Sequence, residues 1–100
     1  MMLDIRRVAG GAQGRTAGSS YNGFAWAVAT STDDVPDIHA QTLNALLVID
    51  GILADLGTDK TRLINVTVYL ARMRDKVEMD RAWVAWISDD PAHWPQRACV

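Results

Sequence analysis

The hundred residues contain a single cysteine, Cys99, so no internal disulfide can form and metal sites of the Cys-x-x-Cys type are absent. Positive charge is also short. Ten Lys and Arg stand against twelve Asp and Glu, a net charge of −2. The basic residues are scattered, with close pairs such as Arg6-Arg7 and Arg72/Arg74. A nucleic-acid binder needs a basic stripe to neutralise phosphates, and none is present. No apolar run is long enough to span a bilayer. The stretch Met1-Met2-Leu3-Asp4-Ile5-Arg6-Arg7 lacks the apolar core and cleavage site of a signal peptide. These absences lead to the expectation of a cytoplasmic protein that engages neither nucleic acid nor membrane. There are two histidines, His39 and His93, far apart and without further ligands at metal spacings, so no metal is expected.

The composition is that of an ordinary globular chain: 49% hydrophobic and 22% charged residues, enough for one domain over 1–100 with one core layer. A weak alternation over Leu3–Val8 allows a short first strand, followed by a loop rich in glycine over 9–14. Residues 15–21 and 24–30 flank Asn22-Gly23, the dipeptide suited to a type I′ hairpin turn. In the returning strand Phe24, Trp26 and Val28 share one face and Ala25, Ala27 and Ala29 the other. The small face admits a close neighbour, and the aromatic face calls for a core or an interface. After a polar loop over 31–35, Pro36 and Asp37 open a helix that should run to about Leu56 and stop at Gly57. Its apolar stripe is Leu46, Ile49, Leu53 and Leu56, joined by Ile38, Thr42, Ala45 and Ile52. Leu63–Leu70 is rich in β-branched residues and reads as the strongest strand. A second helix follows, with a capping-box spacing at Asp75 and Glu78 and one face made of Met79, Ala82, Trp83, Trp86 and Ile87. Pro95 begins a last strand. The order β-β-α-β-α-β predicts an α+β fold, one sheet with both helices on one face.

That last strand carries Arg97 between small and apolar neighbours. An unpaired guanidinium in a buried strand costs several kcal/mol, on the order of 3–5. Arg97 therefore either pairs with an internal carboxylate or serves an anionic ligand; Asp80 of the second helix is either solvated or a partner for Arg81 or Arg97. The ion pair is the commoner arrangement in folded chains. The ligand role is more specific, because arginine grips a carboxylate through two parallel hydrogen bonds. Cys99 shares the strand face of Arg97, although a lone cysteine is more often a small packing residue than a nucleophile. Ser19 and Ser20 lack the G-x-S-x-G frame of a serine hydrolase. Gly10, Gly11 and Gly14 do not open a helix, so they do not form a phosphate-binding loop.

Taken in order, four stretches resemble the YjgF/RidA superfamily, and in detail its short YoaB-like members. They are Gln41-Thr42-Leu43-Asn44-Ala45-Leu46 through Leu56-Gly57; Leu63-Ile64-Asn65-Val66-Thr67-Val68-Tyr69-Leu70; Asp80-Arg81-Ala82-Trp83-Val84-Ala85-Trp86, similar to the family's N-x-x-Y/W-x-x-W/F helix; and Pro95-Gln96-Arg97-Ala98-Cys99-Val100, similar to P-x-R-x-x-V. The resemblance implies a chorismate-mutase-like α+β fold and a homotrimer. Its sheets would form a central barrel, with helices outside and clefts between subunits. It also implies hydrolysis of enamines and imines such as 2-aminoacrylate, 2-iminobutanoate and 2-iminopropanoate to a 2-keto acid and ammonia. Pyridoxal-phosphate enzymes release such intermediates, and their hydrolysis requires no cofactor. By the same resemblance Arg97 holds the substrate carboxylate, the backbone at Cys99 places the imine nitrogen and water, and Tyr21 is the candidate for an early aromatic substrate contact.

The sequence departs from the family pattern in places. The family continues into one more strand with an acidic residue that orients water, whereas this sequence ends at Val100. Thr30-Ser31-Thr32 stands where Ser-Gly-Gln is common. An open strand edge beside Arg97 is expected unless another chain covers it. The resulting expectation is an imine deaminase of the Rid type, with a non-catalytic trimer that binds small carboxylates or regulates a partner enzyme as the alternative. An RNA-directed activity is disfavoured by the acidic balance.

Overall fold

A computed structural model describes residues 4–32 and 36–100. Residue Leu3 of the expected first strand and positions 33–35 of the expected polar loop lie outside the described residues. The chain runs β1 (Arg6–Ala9), β2 (Thr16–Tyr21), β3 (Phe24–Ala27), α1 (Ile38–Asp55), β4 (Asn65–Val68), α2 (Lys76–Trp86) and β5 (Gln96–Cys99), with single 3-10 turns at Lys60–Arg62, Met73–Asp75 and Pro91–His93. Among the described residues no helix is long and apolar enough to cross a membrane.

The hairpin forms where Asn22-Gly23 placed it. Asn22 has φ 52° and Gly23 φ 83°, and Tyr21 pairs with Phe24. These left-handed values match a type I′ turn, whose twist suits the flanking strands. The weak first strand is real and pairs antiparallel with β2, with an irregularity between Val8 and Ala9. Strand β4 pairs with β5 in parallel, joined by the α2 crossover, and Arg97 stands opposite Val66.

Among the described residues the strands divide into two sheets, β1-β2-β3 and β4-β5, and not the one continuous sheet expected. A groove of about 670 Å³ lies between them. Its walls include Ala27 and Val68, and its floor includes Ile49, Leu53 and Met79 from the helices. The alanine face of β3 turns toward this groove and the helices. Phe24, Trp26 and Val28 of the other face are 55%, 56% and 73% exposed. The whole chain is a slab only 20 Å thick, one sheet layer plus one helix layer.

Helix α1 begins as its sequence dictates. The Asp37 carboxylate accepts from the His39 N–H at 3.0 Å. It ends in a Schellman arrangement at Gly57, φ 81°, with the Thr58 N–H donating to the Leu53 carbonyl at 2.9 Å and the Gly57 N–H to the Ala54 carbonyl at 3.0 Å. Helix α2 begins differently from the capping box expected at Asp75 and Glu78. Asp75 has helical dihedrals, φ −82° and ψ −2°, and its side chain makes no cap hydrogen bond. The preceding 3-10 turn already leads the chain into the helix, so Asp75 is not in the extended conformation a capping side chain needs. Glu78 pairs instead with Arg81 at 3.0 Å.

The core sits where the two helices meet, with the end of α1 lying against β2. Ile52, Leu53 and Leu56 of the α1 end are buried with Met79, Ala82, Trp86 and Ile87, and Met79 and Ala82 have no exposed surface. Trp86 Nε1 donates to Asp50 Oδ2 at 2.9 Å, which satisfies the indole N–H and fixes one helix against the other. Gly18 of β2 lets α1 approach the sheet. A Cβ at that position would stand 2.4 Å from Ile52 Cγ2 and 3.1 Å from the Trp26 carbonyl oxygen. Replacing Gly18 by Ala should therefore destabilise the protein by about 1–3 kcal/mol through overpacking. A urea titration checks this, with Gly51→Ala as the control, since nothing lies within 4 Å of a Cβ there.

Candidate functional site

Arg97 projects from β5 toward α2, on the helix side of its sheet. Its side chain is only 17% exposed. The Nη2 atom donates to Asp80 Oδ1 in an ion pair, and Nη1 lies 3.6 Å from Met79 Sδ. The guanidinium carbon sits 5.2 Å from the Trp83 ring centroid, within cation–π range. Trp83 in turn leans on Trp86, with ring centroids 5.5 Å apart. The guanidinium is thus held from two sides by an apolar frame and anchored at one corner by a carboxylate. The question raised by Arg97 has a definite answer within this chain: Asp80 is its internal partner.

Asp80 does not belong to Arg97 alone. Lys76, one turn earlier on α2, donates through Nζ to Asp80 Oδ2 at 2.7 Å. Each carboxylate oxygen therefore accepts from a different cation. The Lys76 hydrogen bond, followed by that from Arg97, holds the Asp80 carboxyl below its ordinary value of 3.8, against a smaller opposing effect of burial. Lys76, Asp80 and Trp83 follow one another at i, i+4 and i+7, so they flank the buried stripe of α2. A shallow groove of about 520 Å³ opens over this flank, with Val77, Asp80 and Val84 in its lining.

The backbone of β5 adds a second kind of group. The Gln96 N–H donates to the Ile64 carbonyl and the Val100 N–H to the Val68 carbonyl, so these residues face β4. Alternation along the strand turns the N–H and C=O of Arg97 and Cys99 to the opposite edge, where β5 has no neighbouring strand among the described residues. The side chains of Arg97 and Cys99 share the half-buried face. Arg97 and Cys99 are thus brought together. Tyr21 is not: it ends β2 in the other sheet, 43% exposed beside the hairpin turn.

Sequence reasoning raised Asp80 as a possible partner of either Arg81 or Arg97. The structure decides for Arg97, while Arg81 takes Glu78. Lys76 was missed, although its i, i+4 spacing to Asp80 was readable. His93 has a local role, its Nδ1 lying 2.9 Å from Ser88 Oγ. Among the described residues no group of three or more His, Cys, Asp or Glu side chains could hold a metal ion.

The chain has relatives among known proteins. A family model described as "Endoribonuclease L-PSP" matches residues 24–100. A RutC family protein of Haemophilus ducreyi is 44% identical over 81 residues, covering 80% of this chain and 68% of that protein. The RutC family protein YoaB of Escherichia coli K12 is 36% identical over 64 residues, 64% of this chain and 54% of that protein. The chain thus spans little more than half the length of YoaB. A crystal structure of a YjgF family member from Neisseria meningitidis superposes with a TM-score of 0.86 at 31% identity, covering 97% of this chain and 79% of that one.

The lowered Asp80 pKa gives this ion pair a pH signature. A carboxyl depressed in the folded state contributes stability above its ordinary value and loses it as pH falls through the folded value. Asp80→Asn should therefore be less stable than the unsubstituted protein at pH 7. The difference should shrink below pH 3.8 and vanish once Asp80 is protonated in both states. Urea midpoints at pH 7 and in the acid range measure it.

Proposed function

The chain belongs to the YjgF/RidA superfamily, the endoribonuclease L-PSP family, and on that premise we propose that it is an enamine/imine deaminase. Its substrates would be small 2-imino acids, such as 2-iminobutanoate and 2-iminopropanoate, released by pyridoxal-phosphate enzymes. Arg97 binds the substrate carboxylate. The observation that carries this reading is a framed, half-buried guanidinium on the same strand as backbone N–H and C=O groups of Arg97 and Cys99 that face away from β4. The guanidinium offers five donors, and Asp80 engages one corner of it. The backbone of Cys99, which faces away from β4, would place the imine nitrogen and a water molecule, as the family resemblance implies.

The chemistry asks little of the protein. Water adds to the electrophilic C=N carbon, its proton passing to nitrogen. The tetrahedral adduct then expels ammonia and leaves a 2-keto acid. Holding the imine and the water in register supplies much of the acceleration. Cys99 contributes its backbone to this step, and its thiol is not required. Tyr21, on the other sheet, joins the site only if a second subunit brings it there. The proposed assembly is accordingly a homotrimer, with the exposed Phe24, Trp26 and Val28 face covered by neighbouring copies.

The acid–base picture favours one second reading, a trimer that binds small carboxylates without turnover or regulates a partner enzyme. Among the described residues the carboxylate on Arg97 is Asp80, and two cations keep it ionised and occupied. It is a poor general base. An RNA-directed role gains nothing from a net charge of −2.

Keto-acid release from 2-aminoacrylate, generated in place by a dehydratase, tests the assignment. The intact protein should accelerate release. Arg97→Ala should lower kcat/KM about ten- to hundredfold, the weight of roughly 1.5–3 kcal/mol carried by hydrogen bonds to a charged group. No acceleration, together with calorimetric binding of 2-oxobutanoate that depends on Arg97, would establish the binding-only reading.

A further inference from the structure

Two cations share one carboxylate at this site. Lys76 and Arg97 together carry two positive charges, and Asp80 returns one negative charge, so the cluster keeps one uncompensated positive charge. The nearby Glu78 cannot supply the missing charge, because Arg81 takes both its oxygens at 3.0 and 3.1 Å. A structural ion pair would need only Arg97 and Asp80. The third member, Lys76, is 44% exposed and buries nothing in the core. It does give Asp80 a second place to go.

We propose that Lys76 and Asp80 are positioning residues that make Arg97 an exchange site for one monoanionic carboxylate. With the site empty, Asp80 bridges both cations. When a ligand carboxylate takes the guanidinium, Asp80 gives up Arg97 and stays on Lys76. No charge is left buried and unpaired in either state, which removes the largest penalty of opening an ion pair. The cluster becomes neutral with the ligand bound, so a single negative charge is the favoured load. Asp80 thereby tunes affinity as an internal competitor, and Lys76 sets how strongly it competes. This inference rests on the reading of Arg97 as a carboxylate anchor.

Calorimetric titration of the full chain with 2-oxobutanoate separates the two. Asp80→Asn should bind about two- to fivefold more tightly, although it is the less stable protein at neutral pH. Lys76→Met should bind about two- to fivefold more weakly, because Asp80 then has Arg97 as its sole partner. The double variant Asp80→Asn/Lys76→Met should return to the affinity of Asp80→Asn, since Lys76 acts only through Asp80. Lys76→Arg should keep the original affinity. A merely structural Asp80 predicts the opposite sign, weaker binding by Asp80→Asn. That result, or equal affinity across the variants, overturns the proposal while loss of binding in Arg97→Ala still upholds the anchor. If neither the unsubstituted protein nor Asp80→Asn binds 2-oxobutanoate, the anchor fails and the exchange site with it. Should Asp80→Asn not fold, Lys76→Met decides, its residue being on the surface; unchanged or tighter binding there overturns the proposal.

Discussion

The packing of α1 against α2 holds the molecule in one piece. The three-stranded and two-stranded sheets share no strand pairing, so their relative position is transmitted through the helices. Helix α1 is seated on β2 at Gly18, where the missing side chain makes room for Ile52. Helix α2 is seated on α1 through Met79, Ala82 and Trp86, and the Trp86–Asp50 hydrogen bond sets how the two helices sit relative to each other. Lys60 adds a clamp on the far side, its ammonium 5.0 Å over the Trp86 ring and hydrogen-bonded to the Trp86 carbonyl. Strand β5 then receives Arg97's partners already in place. The rotation that buries Met79 and Trp86 also turns Asp80 and Trp83 toward the guanidinium.

Much of this was legible in the sequence where a local rule had no competitor. Asn22-Gly23 specifies a turn that few other dipeptides can make, and Asp37 and Gly57 mark the ends of α1 by backbone conformations they favour. The stripe of α2 was readable because alternative phases would bury Lys76 or Glu78. The capping box failed because it assumed an extended residue at Asp75, and the 3-10 turn before it is a property of the incoming chain. The separation into two sheets was not readable, because strand order depends on how elements pack and not on the content of any one strand.

Arg97 shows the same limit at the level of the site. The sequence posed a choice between an internal partner and a ligand, and composition could not rank the claim of Arg97 on Asp80 over that of Arg81. The helix settles this by distance along its surface. Glu78 is three residues from Arg81 and captures it, while Asp80 is carried to the face that meets β5. The internal partner and the proposed ligand role are compatible, since the carboxylate on Arg97 is shared with Lys76 and partly open to solvent.

The parallel pairing of β4 with β5 has a further consequence. Parallel neighbours require a crossover, and here the crossover is α2 itself. The residues that meet at Arg97 are therefore near one another along the chain: Asp80 is 17 positions away and Lys76 four more. Closing so short a loop costs little chain entropy. The charge cluster is a product of one β-α-β unit, assembled without help from the hairpin. Drift in the sequence of β1–β3, including its exposed aromatic face, can thus leave the Lys76–Asp80–Arg97 cluster intact.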